Sequence, residues 1–223
     1  MLIHTAATVA GRLELSPSAS IDTYDSGLGF LGVPISFGRD SEIYGETEPT
    51  EYLYKVVSGA VRTYKVMTDG RRQIGGFYLA GDVFGLELGK EHTLSAEAIT
   101  KTKVLAMKRR ALAAMARRDQ QVARRLWELT AGELERAQRH ILRLIKTAQE
   151  RVASFLLEMA ERIPADECVE LPMSRQDIAD YLGLTIETIS RMLALLEREG
   201  AIELSSSRRI VLRKRAALIR MII

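Results

Sequence analysis

The sequence predicts an α+β fold in which an antiparallel β-roll precedes one long helix and a smaller unit of short helices with a β-hairpin. Short β-prone runs divided by turn residues fill residues 30–107, whereas residues 120–148 contain no proline and a single glycine, Gly132. We expect four segments along the chain: a loose N-terminal leader (1–25), the β-roll (26–116), the long helix (117–148) and a C-terminal unit (149–223).

Composition limits the classes of protein to which the chain can belong. The 223 residues suffice for two small domains, and 32 Lys and Arg against 29 Asp and Glu give a net charge of +3. A single cysteine, Cys168, excludes an internal disulfide and leaves no cluster for zinc or an iron–sulfur centre. No apolar run approaches the roughly 20 residues of a membrane-spanning helix. We therefore expect a cytoplasmic protein that makes no membrane contact.

The β-roll is predicted from strand-like runs at regular spacing. These runs are Tyr52–Val57, Ala60–Val66, Arg72–Leu79 and Val104–Met107. Between them stand Ser58-Gly59, Asp69-Gly70 and Ala80-Gly81-Asp82, which favour tight turns. Short strands divided by such turns are typical of a small antiparallel barrel or roll.

The long helix carries an apolar repeat. Trp127, Leu134, Ile141 and Ala148 recur every seven residues, and Ile145 lies on a second, weaker track. At about 1.5 Å per residue the helix would extend for roughly 40 Å, which is more than a small roll can cover. We therefore favour a parallel homodimer seam of Trp127, Leu134, Ile141 and Ile145. The alternative is a helix packed along its own domain.

The C-terminal unit shows the signals of two short helices and a hairpin. Ser174 is a helix N-cap with Asp177 three residues further on, and Gly183 ends that helix. Thr185 is the N-cap of a second helix that ends at Gly200, and residues 201–212 form two strands around a Ser-rich tip. This order indicates a winged helix-turn-helix, whose second helix can enter the major groove of DNA. An ordinary αα-hairpin with a β-appendage is the alternative.

Side chains that read bases are expected on the outer face of this second helix. Arg191 can donate two hydrogen bonds to guanine, and Glu187 can accept one from the amino group of the paired cytosine. They lie four residues apart on one helix face, so together they can read one G·C pair. Ser190 and Ile186 complete the predicted base-reading set. The alternative for Glu187 and Arg191 is a surface ion pair of little energetic weight.

A further set of side chains is expected to contact phosphates. Such contacts fix the register of a protein on DNA without reading its sequence. The candidates lie at the start of either helix and at the wing: Arg175, Thr185, Thr188, Ser207, Arg208 and Arg209.

The order of parts resembles the CRP/FNR family of bacterial transcription regulators over about residues 26–220. In the roll the resemblance rests on Gly59–Arg62 and Leu79–Gly85. In the C-terminal unit Ser174–Ala179 and Leu184–Arg191 resemble the FNR and FixK branch, whose Glu-x-x-Ser-Arg helix reads a TTGA half-site. The resemblance implies a homodimer on double-stranded DNA, bound to a palindrome of TTGA-type half-sites. It also implies an activator that contacts RNA polymerase, for which the 65–72 hairpin is one candidate.

The chain departs from the family pattern at its sensor sites. Members that respond to cyclic AMP carry an Arg-Ser pair for the cyclic phosphate, where this chain has His92–Ser95, and Glu87 alone cannot neutralise a phosphate. The N-terminal cysteine cluster of oxygen-sensing members is missing. The histidines His4, His92 and His140 lie apart and indicate no haem site. We therefore expect a FixK-like regulator without cofactor or metal, for which a cyclic nucleotide is an unlikely partner.

An enzyme built on the roll is the least favoured alternative. Nothing in the sequence resembles a nucleophile with its base, a metal cluster or a Walker loop, and Gly75-Gly76 lack the helix that a phosphate-binding loop requires. We therefore predict no catalytic residue. Two kinds of regulator with this fold remain possible: one that is active without an effector, and one that is controlled by a ligand. They differ in whether a small molecule raises the affinity for DNA.

Overall fold

The computed structural model describes residues 32–163 and 168–222. The leader expected over 1–25 lies outside the described residues. Eight strands form the roll: β1 (Val33–Phe37), β2 (Glu42–Tyr44), β3 (Tyr52–Ser58), β4 (Ala60–Val66), β5 (Arg72–Leu79), β6 (Val83–Phe84), β7 (Ser95–Ala98) and β8 (Thr102–Lys108). They make two four-stranded antiparallel sheets, in the orders β1-β8-β3-β6 and β2-β7-β4-β5.

The predicted turns join these strands. Gly59 lies between β3 and β4 with φ +86°, and a Cβ at this position would lie 2.6 Å from the carbonyl oxygen of Lys101. Only glycine fits this close approach without a shift of the backbone. Between the two sheets the inner faces bury an aromatic cluster that includes Tyr44, Tyr54 and Phe84. The roll interior is therefore largely filled by its own side chains.

Six helices and three strands follow in the described part of the chain: α1 (Arg109–Ala116), α2 (Gln120–Leu144), α3 (Ala148–Arg162), β9 (Cys168–Glu170), α4 (Arg175–Leu182), α5 (Ile186–Arg198), β10 (Ile202–Leu204), β11 (Arg209–Leu212) and α6 (Arg215–Ile222). The small sheet has the order β10-β11-β9. This arrangement confirms the predicted α+β fold with a roll, a long helix and a winged helix-turn-helix. The sequence did not predict α6, which packs against α3.

The long helix ends earlier than the apolar repeat suggests. Helix α2 stops at Leu144, because Thr147 begins α3 with a capping box. The Thr147 hydroxyl accepts from the backbone N–H of Glu150, and the Glu150 carboxylate accepts from the backbone N–H of Thr147. Ala148, the last member of the repeat, therefore starts α3. Ile145 lies one residue beyond α2.

The roll and the C-terminal unit share one hydrophobic cluster. Ile74 and Phe77 of β5 are buried in the same cluster as Phe155, Tyr181 and Leu182. The ring centroids of Phe77 and Tyr181 lie 5.0 Å apart. The outer face of the β4–β5 sheet is thus covered by α3 and α4, and the two halves of the chain are packed together. Across the described residues, no helix combines the length and the apolar character needed to cross a membrane.

Candidate nucleic-acid interface

We call the predicted winged helix-turn-helix unit (149–223) the reader. The first helix of its helix-turn-helix, α4, begins and ends at the expected residues. The Ser174 hydroxyl accepts a hydrogen bond from the Asp177 backbone N–H at 3.1 Å, and the Asp177 carboxylate accepts from the Ser174 backbone N–H at 2.9 Å. Gly183 ends α4 in the left-handed conformation, with φ +63° and ψ +40°. This conformation turns the chain sharply, so that α5 starts only three residues later.

The second helix is held by a cap and by one apolar face. The Thr185 hydroxyl accepts from the Thr188 backbone N–H at 3.2 Å, as the sequence indicated. Ile189, Leu193 and Leu196 are buried against the rest of the unit. Residues at this spacing lie on one side of a helix, which leaves the opposite side free to face a ligand.

Of the predicted base-reading residues, Glu187 and Arg191 occupy that opposite side, whereas Ser190 and Ile186 lie closer to the buried face. Ile186, Glu187 and Arg191 are exposed, and Ser190 is half-buried. The Arg191 guanidinium donates to the Thr188 hydroxyl at 3.2 Å. The pKa of Glu187 is lowered by hydrogen bonds from its own backbone N–H and from Thr185, and by the nearby charge of Arg191. Glu187 is therefore an ionised acceptor near neutral pH.

The predicted phosphate-contacting residues are each exposed or half-buried. Thr185 is exposed and Thr188 is half-buried, and their hydroxyl oxygens lie 3.1 Å apart. Arg175 is half-buried, and it donates to the Ser190 hydroxyl at 3.4 Å. Arg175 therefore connects the first helix of the reader to a predicted base-reading residue of the second.

The wing is a β-hairpin with a serine tip. Strand β10 pairs antiparallel with β11, and β9 extends the sheet on the other side of β11. Ser207 and Arg209 are exposed. Arg208 is half-buried, and its guanidinium donates to the carbonyl oxygen of Pro172 at 3.3 Å. The Arg208 side chain thus helps to join the wing to the segment before α4.

The predicted seam residues, three in α2 and Ile145 just beyond its end, are exposed in the single chain. The exposed fractions are 75% for Trp127, 60% for Leu134, 62% for Ile141 and 79% for Ile145. Leu142, which is not part of the seven-residue repeat, is also exposed. Large apolar side chains in an uncovered row along one helix indicate a surface that a partner covers.

A cavity of about 320 Å³ lies between the roll and α2. Its lining includes the carboxylates Glu87 and Glu133, and among the described residues that line it there is no Lys or Arg. His92 is buried beside it, stacked on Tyr44 at 3.6 Å, with its Nδ1 3.3 Å from the Glu87 carboxylate. Over the described ranges, the His, Cys, Asp and Glu side chains form no group that could hold a metal.

One feature of the reader was not predicted from the sequence. Asp177 and Asp180 of α4 form ion pairs with Arg62 and Arg72 of the roll. The acidic pair is visible in the sequence at a spacing of three, which places both residues on one helix face. Its basic partners lie more than a hundred residues away, so no local pattern connects them.

Both halves of the chain match known domain families. Residues 150–221 match the Crp-like helix-turn-helix domain. Residues 34–119 match the cyclic nucleotide-binding domain. These matches coincide with the reader and with the roll together with α1.

The chain is similar to proteins that regulate transcription. It is 52% identical over 197 residues to the nitrogen fixation regulation protein FixK of Azorhizobium caulinodans, covering 86% of this chain and 79% of that protein. It is 38% identical over 177 residues to the transcriptional activatory protein AadR of Rhodopseudomonas palustris, covering 77% and 74%.

A solved structure agrees with this relationship. The structure of FixK2 from Bradyrhizobium japonicum superposes with a TM-score of 0.83 at 55% sequence identity, covering 86% of this chain and 98% of that one. These relatives are transcription regulators and not enzymes, and they confirm the resemblance on which the sequence prediction rested. The chain belongs to the FixK-like branch of the CRP/FNR family, and it is a transcription regulator with a helix-turn-helix DNA-binding domain.

Proposed function

We propose that the chain acts in the cytoplasm as a homodimer on a palindrome of TTGA-type half-sites, activates transcription there, and needs no bound effector. The observation that carries this proposal is the exposure of Glu187 and Arg191 together on one side of α5. In this proposal each segment has its own role: residues 26–116 form a sensor-like roll, residues 117–148 form the dimerisation segment, and residues 149–223 bind DNA.

Glu187 and Arg191 have complementary chemistry for one base pair. The Arg191 guanidinium donates to O6 and N7 of guanine, and the ionised Glu187 accepts from N4 of the paired cytosine. Ser190 and Ile186 flank them and face the neighbouring bases. The phosphates are contacted by a second set of residues, which sets the register of the protein on DNA. This set consists of the exposed wing residues Ser207 and Arg209, together with Arg208, Arg175, Thr185 and Thr188.

The exposed row on α2 supports a dimer. Trp127, Leu134, Ile141 and Ile145 form the seam, and Leu142 widens it. A two-fold axis along this seam relates two recognition helices, and each takes one half-site. The half-site centres then lie about one turn of DNA apart, roughly 34 Å.

The lining of the cavity supports activity without a cyclic nucleotide. A cyclic phosphate carries a negative charge, whereas the cavity presents Glu87 and Glu133. Glu87 also interacts with the buried His92. Two carboxylates around an anion are repulsive, and a site that binds a phosphate needs donors or cations.

Activation is supported by the relatives and by an exposed hairpin. AadR is named as a transcriptional activatory protein. In the 65–72 hairpin, Val66 and Met67 are exposed, and so is Arg71 next to Asp69. An exposed loop tip is a surface that RNA polymerase can contact.

The experiment is a fluorescence-anisotropy titration of the purified protein onto a TTGA palindrome, with and without cyclic AMP. A duplex in which both half-sites are scrambled is the control. We expect tight binding to the palindrome, equal affinity with and without the nucleotide, and one dimer per duplex. In vitro transcription from a promoter with this palindrome should rise when the protein is added. Binding that requires cyclic AMP would refute effector independence, and equal binding to the scrambled duplex would refute the half-site assignment.

A further inference from the structure

A cluster of four charged residues joins the roll to the first helix of the reader. Arg62 donates to the Asp177 Oδ1 at 3.0 Å, and Arg72 donates to the same oxygen at 2.7 Å. The Nε of Arg72 also donates to Asp180 at 2.8 Å. We call Arg62, Arg72, Asp177 and Asp180 the interdomain clamp.

The clamp is largely shielded from solvent. The side chain of Asp177 is only 3% exposed, and that of Arg62 is 10% exposed. Arg62 is also held by Glu97 of β7, at 2.9 Å. Charges buried in this way are weakly screened, and separating them would leave an unpaired buried charge. The clamp therefore opposes any movement of α4 away from the roll.

Asp177 binds the helix cap with one carboxylate oxygen and the two arginines with the other. Its Oδ2 accepts from the backbone N–H and hydroxyl of Ser174, at 2.9 and 2.7 Å, and so completes the helix cap. Its Oδ1 is left for the two arginines. Burial alone would raise the pKa of Asp177, but the bonds from Ser174 and the charges of Arg62 and Arg72 hold the pKa below its usual value. The start of α4 is thus tied directly to the roll.

A second group of polar contacts also joins the roll to the C-terminal unit. Arg162 of α3 donates to the carbonyl oxygen of Phe77 and to the carboxylate of Asp82, both at 2.7 Å. Asp82 is also 3.5 Å from Arg136 of α2. Together with the shared hydrophobic cluster, these two attachments restrict rotation of the reader relative to the roll.

The structure contains a continuous chain of contacts from the proposed dimer seam to the recognition helix. On the side of α2 that faces the roll, Glu133 accepts a hydrogen bond from the hydroxyl of Tyr78 at 2.8 Å. The clamp then joins the roll to α4, and Arg175 of α4 donates to Ser190 of α5. The position of α5 relative to the two-fold axis therefore depends on the clamp together with the direct contact between α2 and α4, where His140 stacks on Tyr181.

We propose that the interdomain clamp sets the distance between the two recognition helices, so that its residues determine which half-site spacing the dimer accepts. This inference rests on the proposed function, since it requires a dimer on a palindrome. Arg62, Arg72, Asp177 and Asp180 are positioning residues in this role, because they act on the DNA through α4 and α5.

The test compares DNA affinities of the full-length protein on a series of duplexes. The series contains the TTGA palindrome with the spacer that the parent protein binds best, the same palindrome with one or two base pairs added or removed, and a single half-site. The variants are Arg72→Gln, Asp180→Asn and their double variant. Arg71→Gln is the matched control, because Arg71 is the adjacent arginine and its side chain is 81% exposed.

Arg72→Gln and Asp180→Asn should each lower the preference for the best spacer by about tenfold, within the usual range for coupling between distant sites. Affinity for a single half-site should stay within about twofold, because Glu187 and Arg191 are not altered. The double variant should lose little more than Arg72→Gln, since Arg72→Gln already removes the contact between Arg72 and Asp180. Arg72→Lys, which keeps the charge, should retain most of the preference, and Arg71→Gln should show the same spacer preference as the parent.

Unchanged spacer preference in Arg72→Gln and in Asp180→Asn would overturn the inference. So would an equal loss on the half-site and the palindromes, because that result indicates general unfolding of the reader; circular dichroism of each variant checks this directly. A parent protein that does not prefer any TTGA palindrome over a single half-site would contradict the proposed function, and with it the inference.

Discussion

His140 lies nearly flat against Tyr181, with ring centroids 4.1 Å apart and an angle of 17° between the ring planes. His140 belongs to α2 and Tyr181 to α4, so this stack joins the long helix directly to the reader. Arg143, one turn further along α2, donates to the Tyr181 hydroxyl at 3.2 Å and to the carboxylate of Glu158. Burial and the charge of Arg143 lower the pKa of His140 to about 4, against an opposing effect of Glu158.

The stack predicts a loss of stability in mild acid. In the unfolded chain a histidine has a pKa near about 6.5, so between about pH 6.5 and pH 4 the unfolded state binds more protons at His140 than the folded state does. The free energy of unfolding therefore falls as the pH is lowered through this window. Urea unfolding at fixed protein concentration, at pH 7.5 and at pH 5, measures the difference.

His140→Phe isolates this contribution, because phenylalanine keeps a flat ring on Tyr181 and cannot be protonated. It also removes the buried Nδ1 of His140, for which no hydrogen-bond partner is found among the described residues. We expect the variant to lose less stability than the parent between pH 7.5 and pH 5. Equal losses in both proteins would show that other groups cause the pH dependence.

Replacing either of two glycines by alanine should change the free energy of unfolding, but in opposite directions. Gly183 has φ +63°, where an alanine is strained, so Gly183→Ala should lower the free energy of unfolding by about 1 kcal/mol. Gly132 lies inside α2, and a Cβ there would meet no heavy atom within 4 Å. Gly132→Ala should raise the free energy of unfolding by about 0.5 to 1 kcal/mol. Chemical denaturation of both variants checks the pair, and the same sign for both would contradict this account.

The local signals of the reader were visible in the sequence. Ser174, Asp177, Gly183 and Thr185 act through atoms no more than a few residues away, so their types and spacing were enough to predict the caps and the turn. The strand pairs joined by tight turns were predictable for the same reason. The end of α2 was missed because the apolar repeat continued to Ala148, while the cap at Thr147 starts a new helix.

Contacts between distant segments could not be predicted from the sequence. Arg72 and Asp180 are separated by 108 positions, and their pairing depends on how β5 and α4 pack. Nothing near Arg72 distinguishes it from Arg71, yet Arg72 is held in the interface and Arg71 is exposed. The shared cluster of Phe77 with Phe155 has the same origin, since each side chain alone only indicates a buried position.

A charge placed in the proposed seam should give monomers. Leu134→Glu would bring two carboxylates together across the two-fold axis in an apolar surface, where unpaired charge is costly. Arg125→Glu is the matched control, because nine residues at about 100° each place Arg125 on the opposite side of α2, where it is exposed. Analytical ultracentrifugation should find Leu134→Glu as a monomer with weak affinity for the palindrome, and Arg125→Glu as a dimer. A Leu134→Glu dimer would refute the seam.

Arg191→Ala should remove sequence discrimination at one position of each half-site. The two hydrogen bonds to guanine distinguish it from other bases, so their loss should cost about 1 to 3 kcal/mol on the preferred palindrome and relax the preference at that G·C pair. Arg198→Ala is the matched control, since Arg198 is an exposed arginine in the last turn of the same helix. Affinities for palindromes substituted at each position of the half-site measure the effect. If Arg191→Ala discriminates between bases as well as the parent does, Arg191 does not read this base. An equal loss of affinity for every palindrome would instead indicate that Arg191 contacts a phosphate.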